Sequence, residues 1–513
     1  MTLRPGGAPL HIANGVREFA RSSPRATAVI DGDRRLTYAG LDERSNRVAQ
    51  ALLAAGAVPG RPVAVVLGNR LEYFEVAAGL AKAAMPMVPV NPRSTAHETA
   101  FVLEHSGAQA VVLDEALGEV LPDDHGLPLP LCLDGTSAGA RYEAVLDAAR
   151  AVDPRAASEE RDPFCIAYTS GTTGRPKGVL LSHRSRCLTF YAGALQWGMG
   201  PGRRTIAVAP LYHGAGFAFG YGAVFTGGTV SVLRAWDPLE FLDMAARDAA
   251  ESVFLVPTHA QMIRRVLDGG GVSDRALDRL RTLYFNAAAL PVSLKEWVLD
   301  TFPGVSVHEL YGSTEASVVT DLRPEHARSK AGSVGHPWFM TEVRIVDDEG
   351  VPVRPGQTGE LFSRSPYLMN GYLHDEAATQ ACTTPDGYFT AGDLVTVDEE
   401  GFISVVARKT DVIVTGGVNV YPREVEEALR LHPAVEDIAV IGTPDETWGE
   451  SVCAVVVTRP GVALPVEELD RHVRGMLAGF KVPKQWRQVA ALPRNSTGKV
   501  LKRTLRDTGT AAA

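Results

Sequence analysis

Short apolar runs alternate with amphipathic stretches through the first half of the chain. "RPVAVVLGN" (61–69) predicts a strand buried on both faces, "LEYFEVAAGLAKAA" (71–84) a helix, and "MPMVPVN" (85–91) a further strand. The rhythm recurs in "TIAVAP" (205–210), "SVFLVPTHAQMIRRVLD" (252–268) and "TLYFNAAALPVSLKEWVLDTF" (282–302). Uniformly apolar short strands alternating with helices imply an α/β protein whose sheets are mainly parallel and flanked by helices. After about Gly332 the pattern changes. "VRIVDDEGVPVRPGQTGELFSRS" and "LVTVDEEGFISVVAR" are extended runs broken by Asp-Glu-Gly and Pro-Gly turns, which predict antiparallel hairpins. From Asp411 a compact α+β pattern follows, with helices in "PREVEEALRLH" and "PVEELDRHVRGML" and strands in "VEDIAVIG" and "SVCAVVVT". The expected organisation is a large domain over 1–409 and a small C-terminal domain over 410–513, joined near Thr410. The large domain holds two mainly parallel sheets and a β-rich, barrel-like part at about 332–409.

One run invites a different reading. No charged residue occurs between His213 and Arg234, but six glycines within it make the segment weakly hydrophobic. A buried, ligand-lining segment is expected there rather than a membrane span. Length is that of several domain-sized units, at 513 residues, with 45% hydrophobic and 22% charged residues, as in ordinary globular proteins. A net charge of −9 argues against general affinity for nucleic acid or anionic membranes, so any anionic ligand must be held by local groups. The five cysteines are scattered without a CxxC pair, and the first residues lack the apolar run of a secretory signal. Both point to a reducing, cytoplasmic setting.

Between two apolar runs lies Thr169-Ser170-Gly171-Thr172-Thr173-Gly174-Arg175-Pro176-Lys177-Gly178. Four hydroxyls, three glycines and a lysine have nothing to bury. Glycine-flanked N–H groups, hydroxyl donors and an ammonium suit an anion, above all phosphate. The spacing lacks the Gly-Lys-Ser/Thr of common nucleotide loops, which weakens a reading as an ordinary ATPase or kinase.

On this run, and on four further motifs in order, the chain resembles the adenylate-forming enzymes: acyl- and aryl-CoA synthetases, luciferases and peptide-synthetase adenylation domains. The resemblance extends from "RRLTYAGLDERSNRVAQAL" to "PRNSTGKVLKRTLR". It implies that Thr169, Ser170, Gly171, Thr172, Thr173 and Lys177 cradle the β- and γ-phosphates of ATP. In "YGSTEA", it implies that Tyr311 stacks on adenine beside Gly312, Thr314 contacts the α-phosphate and Glu315 holds Mg²⁺. Asp393 would bind the ribose hydroxyls, with Arg408 on ribose or phosphate. Lys499, in "RNSTGKVLKR", would be the catalytic lysine of adenylation. Gly416, Gly417 and Trp448 would border the coenzyme A path after the C-terminal domain rotates. An ammonium in the lysine's place has a clear purpose. A carboxylate and an α-phosphate about 4 Å apart repel by roughly 4 kcal/mol at an effective dielectric near 20, and a cation between them reverses the sign.

Two positions depart from the family pattern. The hinge residue, usually Asp or Lys, is Thr410, and the adenine-lining Gly-Ala-Ala-Pro run is Asn286-Ala287-Ala288-Ala289. The acyl pocket is expected around "PLYHGAGFAFGYG", with His213 beside the carboxylate or thiol path and Gly216, Phe217, Tyr221, Thr258, Ala288 and Gly312 lining it. No carboxylate in that segment could pair with an α-ammonium, which disfavours amino acids; fatty, aryl and polycyclic acids stay open. The implied reaction joins a carboxylic acid, ATP and CoA. The alternatives are transfer to a carrier-protein phosphopantetheine, a luciferase-like oxygenation after the same first step, and a non-catalytic nucleotide-binding protein of this fold.

Overall fold

The computed structural model describes residues 9–127, 130–134, 140–169, 176–270, 277–416, 418–495 and 498–507. Two large sheets dominate. The first runs in the order His336–Pro337, Ser317–Leu322, Ser306–Ser313, Thr282–Phe285, Ser252–Leu255, Arg204–Ala207, Thr229–Val232, Thr27–Asp31, Arg34–Thr37. Its central pairs are parallel, and antiparallel strands close both edges. The second has eight strands; its parallel centre is Met87–Pro89, Val63–Val66 and Ala110–Asp114, and Pro163–Thr169 turns back antiparallel into Lys177–Ser182. The apolar runs become these strands because both faces are covered, as the fully buried Val63–Val66 shows. Helix Gly214–Phe225 sends Phe217 and Tyr221 into a core shared with Val65 and Phe164 of one sheet and Val230 of the other.

The hairpin region differs from the expected barrel. Glu342–Val346, Thr358–Arg364, Phe389–Val397 and Ile403–Arg408 form an open four-stranded antiparallel sheet. Its outer strands, Glu342–Val346 and Ile403–Arg408, do not pair with each other, so the sheet stays open. This sheet covers its apolar face in another way: Leu361, Phe389, Val395 and Ile403 pack on Ala316, Val319 and Val334 of the first large sheet and its flanking turns. A single 3₁₀ turn, Lys409–Asp411, leads on to a five-stranded sheet backed by helices Pro422–Arg430 and Val466–Arg474, with its own core around Val440, Val456 and Leu469.

The uncharged run at 213–234 becomes one helix of 12 residues and a strand. Among the described residues, no helix is long and apolar enough to cross a membrane.

Candidate active site

A cavity of about 760 Å³ opens where several parallel strands end. The strand Pro163–Thr169 delivers Thr169 to it, Arg204–Ala207 leads to His213, Thr282–Phe285 to Asn286 and Ala287, and Ser306–Ser313 to Thr314 and Glu315. Ligands of open α/β sheets bind outside these carboxyl ends. From the C-terminal part, Lys499 and Asn495 reach the same cavity, together with Arg408, Lys409 and Thr410.

The turn after Gly312 is shaped by close contact. A Cβ on Gly312 would lie 1.8 Å from the carbonyl oxygen of Ser317, so only glycine lets the strand fold back there. We expect Gly312→Ala to displace Thr314 and Glu315, destabilising the protein by about 1–3 kcal/mol; denaturant unfolding checks this. Beyond the turn, Tyr372 donates a hydrogen bond to Glu315 Oε1 at 3.0 Å, and its ring lies 4.8 Å beneath the Lys177 ammonium. One tyrosine therefore links Lys177 to the carboxylate of the second motif. Mg²⁺ is held by one or two carboxylates and substrate phosphates rather than by an all-protein cage. Glu315 fits that demand, and the described residues contain no cluster of three or more His, Cys, Asp or Glu side chains that would form such a cage. Tyr372→Phe removes one orienting hydrogen bond worth about 1 kcal/mol, and we expect the Mg²⁺ needed for half-maximal pyrophosphate exchange to rise about fivefold.

Asp393 and Arg408 are directly opposed across two antiparallel strands. Arg408 Nε donates to Asp393 Oδ1 at 3.1 Å, and the Tyr311 hydroxyl donates to Oδ2 at 2.7 Å. Burial, followed by the neighbouring Asp393 carboxylate, pushes the Tyr311 phenol well above its ordinary range, so it stays a donor. His213 caps helix Gly214–Phe225, its Nδ1 accepting from the Ala215 N–H at 3.4 Å. Burial pulls its pKa down to about 4, so near neutral pH the ring is uncharged and carries its hydrogen on Nε2. Lys499 is drawn below the usual lysine range, first by burial and then by Arg408, with Asp393 and Asp411 opposing. Its turn is fastened by the Asn495 side chain, which accepts from the Lys499 N–H at 2.9 Å.

Other expected residues lie elsewhere. Phe217 and Tyr221 point away from the cavity into the core, Tyr221 stacking on Phe217 at 4.8 Å and donating to the Ile12 carbonyl. On a helix, the residues on its other side line the cavity instead, here Ala215, Ala218 and Phe219. Gly216 does not widen the pocket. A Cβ there would meet the Pro210 carbonyl oxygen at 2.0 Å, so glycine serves close packing. Thr258 touches the lysine turn, its Oγ1 lying 3.5 Å from where a Cβ of Gly498 would be. Ala288 is exposed, while Ala287 lines the cavity with a φ of 72°, a left-handed conformation that costs alanine about 1–2 kcal/mol. The strained position is thus Ala287, next to Asn286, which stands in place of that motif's glycine. Gly416, with a φ of 58°, packs under Trp448, which is exposed and carries Lys484 over its ring at 4.3 Å. Neither lines the cavity in this arrangement. Ser170, Gly171, Thr172, Thr173 and Gly417 lie outside the described residues.

Sequence reading missed Tyr372, which sits 57 residues from its partner Glu315 and carries no periodic signal. It also missed Arg186, Thr189 and Trp197, which line the cavity from helix His183–Trp197. Their spacing of three and eleven places them on one helical face, a signal that was present but ambiguous with ordinary core packing.

A cavity at the carboxyl ends of parallel strands, covered by a separate small α+β unit that contributes a lysine, defines a two-part α/β architecture. The comparisons with known proteins give it a family. The AMP-binding enzyme model matches residues 16–373, and that of the AMP-binding enzyme C-terminal domain matches residues 424–499. The chain belongs to the AMP-binding enzymes, the adenylate-forming superfamily that includes the acyl- and aryl-CoA synthetases. It is 37% identical over 495 residues to a feruloyl-CoA synthase of Amycolatopsis sp, covering 95% of this chain and 96% of that one. It is 34% identical to the fatty acid–[acyl-carrier-protein] ligase ScoC of Streptomyces coeruleorubidus, covering 95% and 94%. Among solved structures, the o-succinylbenzoate CoA synthetase of Bacillus subtilis in complex with ATP and magnesium ion superposes with a TM-score of 0.86 at 28% identity, covering 96% and 99%.

Proposed function

We propose that this chain is an ATP- and Mg²⁺-dependent acyl-CoA synthetase. It converts a carboxylic acid with an apolar skeleton and ATP to an acyl-adenylate and pyrophosphate, then passes the acyl group to CoA with release of AMP. The observation that carries this reading is the meeting of Lys499 with His213, Thr314 and Glu315 around one cavity. The neutral His213 ring donates to the incoming carboxylate from Nε2. Thr314 and Lys499 hold the α-phosphate and the attacking carboxylate together, where the ammonium offsets their repulsion in the transition state. Glu315 would hold Mg²⁺, which supplies charge against the departing pyrophosphate. Asp393, braced by Arg408 and Tyr311, receives the ribose hydroxyls.

The surface that serves the thiol is read as a second use of the same small domain. In this reading 410–513 rotates about Thr410 and brings Gly416, Gly417 and Trp448 to the site in place of Lys499. The likeness to ScoC favours a second reading of the acceptor, a carrier-protein phosphopantetheine. With scattered cysteines and a negative net charge, we place the enzyme in the cytoplasm.

The test is a pyrophosphate-release screen over fatty, aryl and polycyclic acids, with free CoA, a phosphopantetheinylated carrier, or neither. Acid-dependent pyrophosphate and a thioester on CoA are expected. Absence of pyrophosphate with every acid refutes adenylation, and thioester on the carrier alone transfers the assignment to the second reading.

A further inference from the structure

Helix His183–Trp197 places an arginine in the wall of the acyl cavity, and that arginine has no anionic partner among the described residues. Arg186 is only 4% exposed and lines the cavity. One arm donates to the Ser317 hydroxyl at 3.1 Å and the other to the Thr314 carbonyl at 3.3 Å. Both acceptors are neutral. Among the described residues no carboxylate forms an ion pair with it, and the undescribed segment 170–175 contains no Asp or Glu. The neighbouring Cys165 thiol is pushed up to about 12 by burial and is uncharged. Burial also pulls Arg186 down to about 10, which leaves it a cation near neutral pH. A buried charge without a counter-charge is strongly unfavourable, and a core position for this chain would be better filled by an apolar side chain.

The surroundings are built around the guanidinium. Ser317 holds a φ of 60°, a left-handed conformation that a serine adopts at a cost, and its hydroxyl is shared with Thr189 Oγ1 at 3.2 Å. These groups form a polar patch in a wall otherwise made of Phe190, Trp197 and Val318. The patch adjoins the point of activation, since one arm of Arg186 holds the Thr314 carbonyl. There the Thr314 hydroxyl stands 4.0 Å from the Cβ position of Gly214, next to His213, and Lys177 and Lys499 already supply charge to the same cavity.

We propose that Arg186, with the hydroxyls of Ser317 and Thr189, recognises a second carboxylate on the acid, so that the preferred substrate is an apolar skeleton bearing one carboxylate to be activated and another to be held. This rests on the adenylation reading above. A guanidinium has five donors in a fixed fork, and the two bonds described leave donors for a carboxylate. Removing one partner of such a buried charge pair weakens it by about 30-fold or more.

The experiment measures ATP–pyrophosphate exchange with 3-phenylpropanoate, its ortho-, meta- and para-carboxy derivatives, and the matching ring carboxamides. For wild-type enzyme, at least one carboxy derivative should exceed its carboxamide in kcat/KM by about 30-fold or more. Arg186→Met should collapse that ratio toward one, and Arg186→Lys should restore part of it. Equal use of carboxylate and carboxamide by wild-type enzyme, a result that needs no variant to fold, overturns the proposal. So does a proportionate loss on all acids in Arg186→Met, which would make the arginine a brace for the Thr314 turn. Exchange with the unsubstituted acid but no preference sinks this inference alone, whereas no exchange with any acid sinks the adenylation reading with it.

Discussion

Lys499→Ala should lower acyl-adenylate formation by about 10²- to 10³-fold, the usual loss when one group aimed at developing charge is removed from an enclosed site. Thioester formation from a supplied acyl-adenylate should stay largely intact. The first expectation follows from position. Lys499 is the C-terminal residue that brings an ammonium to the cavity of Thr314 and His213, and its turn is braced by Asn495 and seated against Thr258. With the ammonium gone, the carboxylate must approach the α-phosphate against the repulsion of like charges, about 4 kcal/mol at 4 Å in an environment of dielectric near 20. The second expectation follows from the proposed rotation, in which the lysine has left the site before the thiol attacks. Pyrophosphate exchange measures the first step, and AMP release from a synthetic acyl-adenylate plus CoA measures the second. Equal loss in both would contradict the use of one domain for two tasks, provided the thermal midpoint is unchanged.

The features legible in the sequence are those governed by local rules. Buried strands announce themselves as apolar runs, so Val63–Val66, Ser252–Leu255 and Thr282–Phe285 were foreseeable, as was the hairpin that sets Asp393 opposite Arg408. The glycine- and threonine-rich run betrayed itself because it had nothing to bury. Residues joined across the fold were not legible. Tyr372 meets Glu315 only because Gly371–Tyr372 pairs with the strand Lys177–Ser182. Which side of helix Gly214–Phe225 faces the ligand was also hidden, since glycine and aromatic residues occupy its whole circumference and give no amphipathic stripe. Phe217 and Tyr221 were therefore expected in the pocket, whereas Phe219 is the aromatic of that helix that lines it. The barrel was expected from hairpin composition alone, which cannot reveal that another sheet covers the apolar face. Arg186 was invisible for a related reason: in sequence it is one basic residue of "SHRSRC", and only burial separates it from Arg184.

Lowering the pH from 7.5 to 5.0 should cost about 4 kcal/mol of folding stability through two histidines alone. His11 and His183 stack at 4.0 Å, buried beside the ion pair of Arg17 and Asp153. Burial, then the neighbouring His183 ring and Arg17, draws His11 down to about 2, with the Ala81 backbone and Asp153 opposing. Burial and then Arg17 draw His183 down to about 3. Both rings are used as neutral acceptors, His183 Nδ1 taking the Ile12 N–H at 3.4 Å and His11 Nδ1 the Ala13 N–H at 3.2 Å. In the unfolded chain each titrates near 6.5. Above that pH both states are uncharged and stability is fully present. Below it the unfolded chain takes up protons that the native chain refuses, and stability falls by about 1.4 kcal/mol per pH unit for each ring until the native values are reached. Against a typical total of about 5–15 kcal/mol, this is a large share. His183 begins the helix that carries Arg186 and Trp197, so loss of the pair should loosen this wall of the cavity as well. Denaturant unfolding at both pH values, repeated on His11→Phe, checks the source: the variant should lose about half of the pH-dependent drop, and an unchanged drop would assign it to other groups.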